Sequence, residues 1–388
     1  MASSAAHAQS AQHTDPLNLD PQVRAAYERF YNLDFENADR LFNNVLTAHR
    51  NEPMAYDYLL LVAIFRELYN QDLLDTTFYA HDSFLFTKRY VPVAQSSRNH
   101  IDQLAQSAIS LATQHLNANP QDKNAYFARS YAKGLQAMFL LLVDHAYTHA
   151  AREGLDARSD SEQALKLDPQ YADANMAIGI QQYAVASLPR FLRFVVSMMG
   201  TTGSKQKGIE LLEQSAQHGV VTSVESRTAL SLFFRRDARY NDALAVERSL
   251  IAQYPHDFLF RLEEANILKD EGTGPTAMAA YQHVIDDATR KNYFVNPRLQ
   301  LAYFGLADTQ RGWGKLQEAA RGYIAAATEP GCSDWLRRRA WLNAGETFDL
   351  LHDRSDALKA YRNVAAPGGD QSQAAAARRY METPYSGK

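Results

Sequence analysis

The clearest set of potential metal ligands in this 388-residue sequence is formed by His145 and His149, with Asp144 beside them and Glu153 one turn further on. On the long helix predicted over residues 124–151, this spacing places two imidazoles and a carboxylate on one face, which is compatible with a metal site. A single helix supplies too few fixed ligands, however, and no His-Glu-x-x-His motif is present. We therefore expect packed or solvated histidines, with no bound metal or cofactor.

The sequence also lacks the motifs of nucleotide-binding and hydrolytic enzymes. It contains no Gly-x4-Gly-Lys-Ser/Thr loop, no Gly-x-Gly-x-x-Gly turn and no Gly-x-Ser-x-Gly elbow. The single cysteine, Cys332, excludes an intrachain disulfide and a site built from several thiolates. The formal net charge of -4 leaves no broad basic surface to neutralise phosphates. We therefore expect neither catalysis nor nucleic-acid binding.

The stretch from Ala157 to Gly179 contains the element on which the chain is built. Ala157, Ser161 and Ala164 lie four and three residues apart on one helical face, and Pro169 ends that helix. This spacing resembles the second helix of a tetratricopeptide repeat, a 34-residue helix pair. The resemblance implies an all-α fold, a right-handed superhelical solenoid of antiparallel helix pairs. We expect about seven to eight such repeats, the N-terminal ones lengthened.

The C-terminal half repeats this pattern regularly. The marker alanines recur at intervals of 34, 42 and 38 residues, at Ala243, Ala277, Ala319 and Ala357. The aromatic position is filled by Tyr281, Tyr323 and Tyr361. We therefore divide the chain into a disordered leader (1–19), irregular repeats (20–220), regular repeats (221–367) and a capping helix with a tail (368–388).

An aromatic-rich insertion, residues 71–95, interrupts the irregular repeats. Insertions in repeat arrays map to loops on one face, which is often the binding face. Two interpretations stay open: a plug that covers exposed core at a widened helix pair, or a lid that contacts a ligand. The candidate lid residues are Phe78, Tyr79, Phe84, Phe86 and Tyr90.

In tetratricopeptide repeats the first helix of each pair lines a groove, and the resemblance therefore implies groove positions here. The candidate partner-binding residues are Arg235, Asn266, Lys269, Asp308, Arg311, Arg339 and Glu346. The family's carboxylate clamp is not reproduced, because Leu262 and Gly305 stand where Lys and Asn are expected. We expect a non-catalytic scaffold that binds a protein or peptide, with Arg donors suited to an acidic segment. Solvated helix-face charges are the alternative interpretation of these residues.

A second function is suggested by the apolar segment 188–199, which Arg190 and Arg193 interrupt. Together with the aromatic insertion it could close a cavity, as in a carrier of lipid or another hydrophobic ligand. The segment could also lie on a membrane surface. No apolar block reaches the roughly 18 residues that suggest a spanning helix. The sequence thus leaves peripheral membrane contact and self-association open, and predicts no transmembrane segment.

The same region carries a narrower resemblance. Pro189 and an apolar helix are followed by Gly-Thr-Thr-Gly, a basic residue, and Gly208-Ile209-Glu210-Leu211-Leu212. This arrangement is similar to a segment of the inclusion body clearance and tetratricopeptide repeat protein 39 family. The resemblance implies a scaffold linked to lipid or aggregate handling, without catalytic residues.

The first residues bear on the compartment. Ala6-His7-Ala8 looks like the end of a secretory signal peptide, although the charged and apolar regions that should precede it are missing. We expect export to the periplasm or cell envelope, with a cytoplasmic location as the alternative.

Overall fold

The computed structural model describes residues 12–80, 91–189, 193 and 202–387. Within these ranges the regular elements are helical, and three of them, Pro16–Leu19, Thr76–Phe78 and Ala172–Ala174, are short 3-10 helices. The α-helices of the first half are α1 (Pro21–Phe30), α2 (Phe35–Ala48), α3 (Pro53–Asn70), α4 (Gln95–Ala118), α5 (Lys123–Leu142), α6 (Tyr147–Leu167), α7 (Asn175–Ser187) and α8 (Lys205–His218). Those of the second half are α9 (Ser223–Arg236), α10 (Tyr240–Gln253), α11 (Phe258–Glu271), α12 (Gly274–Ala288), α13 (Leu299–Gly312), α14 (Leu316–Thr328), α15 (Asp334–Leu350), α16 (Arg354–Ala365) and α17 (Gln371–Glu382).

Aspartate side chains start several of these helices. Asp20 accepts a hydrogen bond from the backbone N–H of Gln22, and Pro21 is the first residue of α1. Asp122 likewise accepts from the N–H of Asn124 at the start of α5. These bonds satisfy donors that have no partner within the helix.

Helices that follow one another in the chain pack together as pairs. Several of the connections are short, as with residues 313–315 between α13 and α14, and a short connection makes two packed helices antiparallel. Additional contacts join first helices, α11 to α13, and join α15 to the last helix, α17. The described α-helices, packed on their chain neighbours within each unit, confirm the predicted all-α repeat fold.

One predicted helix is wrong. The sequence pattern predicts a continuous helix over residues 124–151, but α5 ends at Leu142 and α6 begins at Tyr147. His145 lies in the connection with a φ of 51°, outside helical geometry. His145 and His149 therefore do not share a helical face, which removes the spacing that made them metal-compatible.

The aromatic positions of the repeat form its core. Tyr281 and Tyr361 are fully buried, and each ring lies against a glycine of a neighbouring helix. A Cβ atom added at Gly305 would lie 2.5 Å from the ring of Tyr281, and one at Gly345 would lie 2.4 Å from that of Tyr361. Position 305 therefore has no room for a side chain beside the ring of Tyr281.

The chain divides into two compact units. Unit 1 comprises Met1–Glu67 and Val93–Phe234, and unit 2 comprises Leu68–Pro92 and Arg235–Lys388. The start of the insertion therefore belongs to the unit that contains the regular repeats, although it precedes them by more than a hundred residues in the sequence. This assignment brings the candidate groove and residues 71–80 of the insertion into one unit.

The N-terminal residues that the structure describes differ from the predicted disordered leader. Thr14 and Asn18 are buried in unit 1, 4% and 1% exposed. Asn18 donates to Thr14 Oγ1 at 2.9 Å and accepts from the Tyr58 hydroxyl at 2.5 Å. Composition missed this segment because its anchoring groups are polar and show no apolar period. The Ala6-His7-Ala8 motif lies outside the described residues.

Candidate peptide-binding face

The first helices of unit 2 are joined by polar contacts between equivalent positions. Arg235, in the last turn of α9, donates to Asp270 of α11 at 2.7 Å. Arg311 of α13 donates to Glu346 of α15 at 2.9 Å. The members of each pair are 35 residues apart, one repeat period. We call this polar side of α9 (from Arg235), α11, α13 and α15 the first-helix face.

Tyrosines from the second helices also bond to this face. Tyr281 donates to Asn266, and Tyr323 donates to Asp308, in both cases across 15 residues and at 2.5 Å. Burial and the nearby Asp308 carboxylate raise the pKa of Tyr323, so the phenol stays protonated and remains a donor. Buried tyrosines packed on small residues, at recurring offsets along paired helices, are the organisation of a tetratricopeptide repeat. The chain has a tetratricopeptide-repeat fold.

Arg235 is the most buried charge of the face. Its side chain is 0% exposed, and it contacts Glu263 at 3.0 Å and Asp270 at 2.7 Å. Burial lowers the pKa of Arg235, but the two carboxylates outweigh that effect and raise it. The guanidinium is therefore a permanent cation inside a charged cluster, and neither an accessible donor nor a solvated charge, the two interpretations that the sequence left open.

The chain's own insertion lies on this cluster. We call residues 72–80 the strap. Thr76 Oγ1 accepts from Arg235 Nη1 at 2.8 Å and donates to the Glu263 carboxylate. Thr77 Oγ1 accepts from Arg235 Nη2 at 3.3 Å, and Asp75 accepts from Asn266 Nδ2 at 3.0 Å. Two candidate groove residues, Arg235 and Asn266, are therefore occupied by an internal segment.

The strap begins with a buried carboxylate. Asp72 is 4% exposed and accepts from Arg298 Nε and Gln300 Nε2, each at 2.8 Å. The backbone N–H of Ser333 donates to its second oxygen at 3.0 Å. The next residue, Leu73, is 1% exposed. Asp72 and Leu73 therefore anchor the strap to the segments around α13 and α15.

The other candidate groove residues lie beyond the strap contacts just described. Lys269, Asp308, Arg311 and Glu346 are half-buried, and Arg339 is exposed. The C-terminal tail also reaches this part of the face. Tyr385 places its ring 5.4 Å from the Arg311 guanidinium and donates its N–H to Asp349 at 2.9 Å.

Two candidate lid residues belong to the strap. Phe78 lies edge-on to Trp335, with ring centroids 5.8 Å apart, and Tyr79 lies beside Phe78. Phe84, Phe86 and Tyr90 lie outside the described residues, as does most of the segment 188–199. Sequence reasoning missed Asp72, Asp75, Thr76 and Thr77. The one feature of the sequence that could have indicated these four residues is that they are polar within a segment that we described by its aromatic residues.

Two further observations concern the described residues. None of the helices within these ranges is long and apolar enough to cross a membrane. The same ranges contain no cluster of three or more His, Cys, Asp or Glu side chains arranged to hold a metal ion.

Comparisons with known proteins give distant similarities to solved structures. No protein-family model matches the chain, and no curated protein matches it. Yeast Tom70 is similar over 93% of this chain and 80% of its own, at 15% identity with a TM-score of 0.43. A tetratricopeptide repeat protein from Parabacteroides merdae covers 82% of this chain and 97% of its own, at 12% identity with a TM-score of 0.37. A human IFIT1 dimer with m7Gppp-AAAA covers 97% of this chain and 86% of its own, at 10% identity with a TM-score of 0.46. The narrower resemblance to the inclusion body clearance and tetratricopeptide repeat protein 39 family stays a prediction.

Proposed function

We propose that this chain is a non-catalytic scaffold that binds a protein or peptide on the first-helix face of unit 2. The observation that carries the proposal is the strap, a polypeptide segment already bound there through side chains of α9 and α11. A face that holds one segment by hydrogen bonds and ion pairs has the chemistry to hold another. The packing of the helix pairs does not require this row of polar groups, which supports a role for them in binding.

The charges of the part beyond the strap favour a polypeptide over a nucleic acid. Arg311 and Arg339 lie on the same helices as Asp308 and Glu346, so each helix carries both a cation and a carboxylate. A phosphate backbone would meet carboxylates along such a surface, which opposes the neutralisation that drives nucleic-acid binding. A peptide with mixed polar and charged side chains can pair with both signs.

A displayed library of random peptides, screened on the full chain, tests this function. Arg339→Ala removes an exposed cation of the face, so we expect the selected peptides to bind about tenfold more weakly, a loss of about 1.4 kcal/mol. Arg321→Ala is the matched control because Arg321 is an exposed arginine on a second helix, α14. Equal losses in the two variants, or no enriched peptide at all, would contradict the proposal.

A further inference from the structure

We infer that strap residues Asp75–Phe78 are an intramolecular ligand, and that the external partner of this face carries the same chemistry: a carboxylate, two unmodified hydroxyls and an aromatic ring on one short turn. The inference rests on the proposed function and names the partner class of the same site. It follows from three subsites that the strap fills in unit 2.

The carboxylate subsite is Asn266. Its amide Nδ2 donates to Asp75 Oδ1 at 3.0 Å, while its Oδ1 is held by the hydroxyl of Tyr281 at 2.5 Å. The tyrosine therefore fixes which side of the amide faces the ligand. Asp75 Oδ1 also accepts the N–H of Thr77 at 2.9 Å, which caps the 3-10 helix Thr76–Phe78. One carboxylate thus both shapes the turn and docks it.

The hydroxyl subsite lies between opposite charges. Thr76 Oγ1 accepts from Arg235 and donates to Glu263 at the same time. A hydroxyl can do both, whereas a carboxylate or a phosphate can only accept. Phosphorylation would place a dianion against Glu263, and the Arg235 cation already pairs with two carboxylates. The subsite therefore selects a free hydroxyl and rejects its phosphorylated form.

The aromatic subsite is Trp335, near the start of α15. Its indole ring meets the ring of Phe78 at an interplanar angle of 74°, the edge-to-face arrangement that aromatic pairs prefer. At the residue after Phe78, the Arg236 guanidinium donates to the backbone carbonyl of Tyr79. A side-chain contact and a main-chain contact thus fix the end of the turn.

The strap is less buried in its middle than at its ends. Asp72, Leu73 and Ala80 are buried, whereas residues 74–79 are half-buried. The anchor therefore keeps Asp75–Phe78 close to its subsites at high effective concentration, so an external segment must compete with it. A competitor binds only the fraction of molecules in which the subsites are free, and its apparent affinity is reduced by that fraction.

A synthetic peptide of residues 74–80, Leu-Asp-Thr-Thr-Phe-Tyr-Ala, labelled with fluorescein, tests the inference by polarisation. The variant Asp75→Ser/Thr76→Ala/Thr77→Ala empties the carboxylate and hydroxyl subsites and keeps the Asp72 anchor. We expect it to bind the peptide at least about tenfold more tightly than the unaltered chain. Thr289→Ala, an exposed threonine whose hydroxyl bonds to its own helix end, is the control and should bind like the unaltered chain.

Altered peptides test the chemistry without disturbing the protein. Replacing the peptide's Asp by Ser, or phosphorylating its first Thr, should each weaken binding to the strap variant by about tenfold or more. A folded strap variant that binds no better than the unaltered chain would overturn the inference. Equal binding of the altered peptides would overturn the assigned partner chemistry.

Hydrogen exchange on the unaltered chain supplies a second measurement that needs no substitution. Excess peptide should speed the exchange of amides 75–79 and leave that of the anchor residue Leu73 unchanged. Unchanged exchange at saturating peptide would refute displacement. If these tests fail while Arg339→Ala still weakens library peptides, the proposed function stands and only the inferred partner class is lost.

Discussion

Replacing Asp72 by Asn should destabilise unit 2 by about 3 kcal/mol, the lower end of the range for breaking a buried ion pair. The Asp72 side chain is 1% exposed, and its partner Arg298 is 12% exposed. Asparagine keeps the shape of aspartate and tolerates the positive φ of 56° at this position. It leaves the guanidinium without its counter-charge, however, and turns an amide donor toward either Arg298 or the Ser333 N–H.

Urea unfolding followed by tryptophan fluorescence measures this effect in the correct unit. All three tryptophans of the chain, Trp313, Trp335 and Trp341, belong to unit 2. The control is Asp242→Ala, which breaks an ion pair whose side chains are about half exposed and should cost less than about 1 kcal/mol. If the midpoint moves no further in Asp72→Asn than in the control, the strap is not anchored through this carboxylate.

Three other perturbations test the same reasoning. Gly305→Ala should lower the unfolding free energy by about 1 to 3 kcal/mol, because the new Cβ meets the buried ring of Tyr281; an unchanged urea midpoint would refute this packing. Arg235→Ala should lower the unfolding free energy by about 3 to 5 kcal/mol, because it leaves the buried Glu263 carboxylate without its cation. An unchanged unfolding free energy would instead support the interpretation of Arg235 as a solvated charge. Burial raises the pKa of Glu225 from 4.5 to about 7, so the folded state holds this proton more tightly than the unfolded state. The resulting stability, up to about 3 kcal/mol, is complete below pH 4.5 and is lost as the pH rises through 7. Glu225→Gln should flatten that pH dependence in thermal melts between pH 4 and 8, and an unchanged slope would contradict the assignment.

The sequence predicted the repeats because the contacts that define a repeat join residues that are close together in the chain. The alanines and tyrosines that mark it recur every 34 to 42 residues in unit 2. Each of the three marker tyrosines bonds to a residue only 12 or 15 positions before it, as Tyr361 does to Asp349 and Tyr323 to Asp308. Such contacts produce a periodic pattern of residue types in the sequence. The pattern predicted the wrong structure at residues 142–147. There a turn at His145 separates two helices, although the apolar pattern continues from one helix into the next.

The candidate site was predictable only in part, for the same physical reason. The resemblance placed seven side chains on first helices, but it made Arg235 a donor to an outside partner, whereas the structure buries it against Glu263. What covers that arginine is Thr76, 159 residues earlier in the chain, and the strap anchor joins Asp72 to a backbone N–H 261 residues later. Contacts between single polar groups so far apart in the chain do not recur at a regular spacing. A single sequence therefore contains no pattern from which they could be predicted. A test of whether the strap exchanges with an outside peptide therefore addresses the one property of this face that periodicity could not reveal.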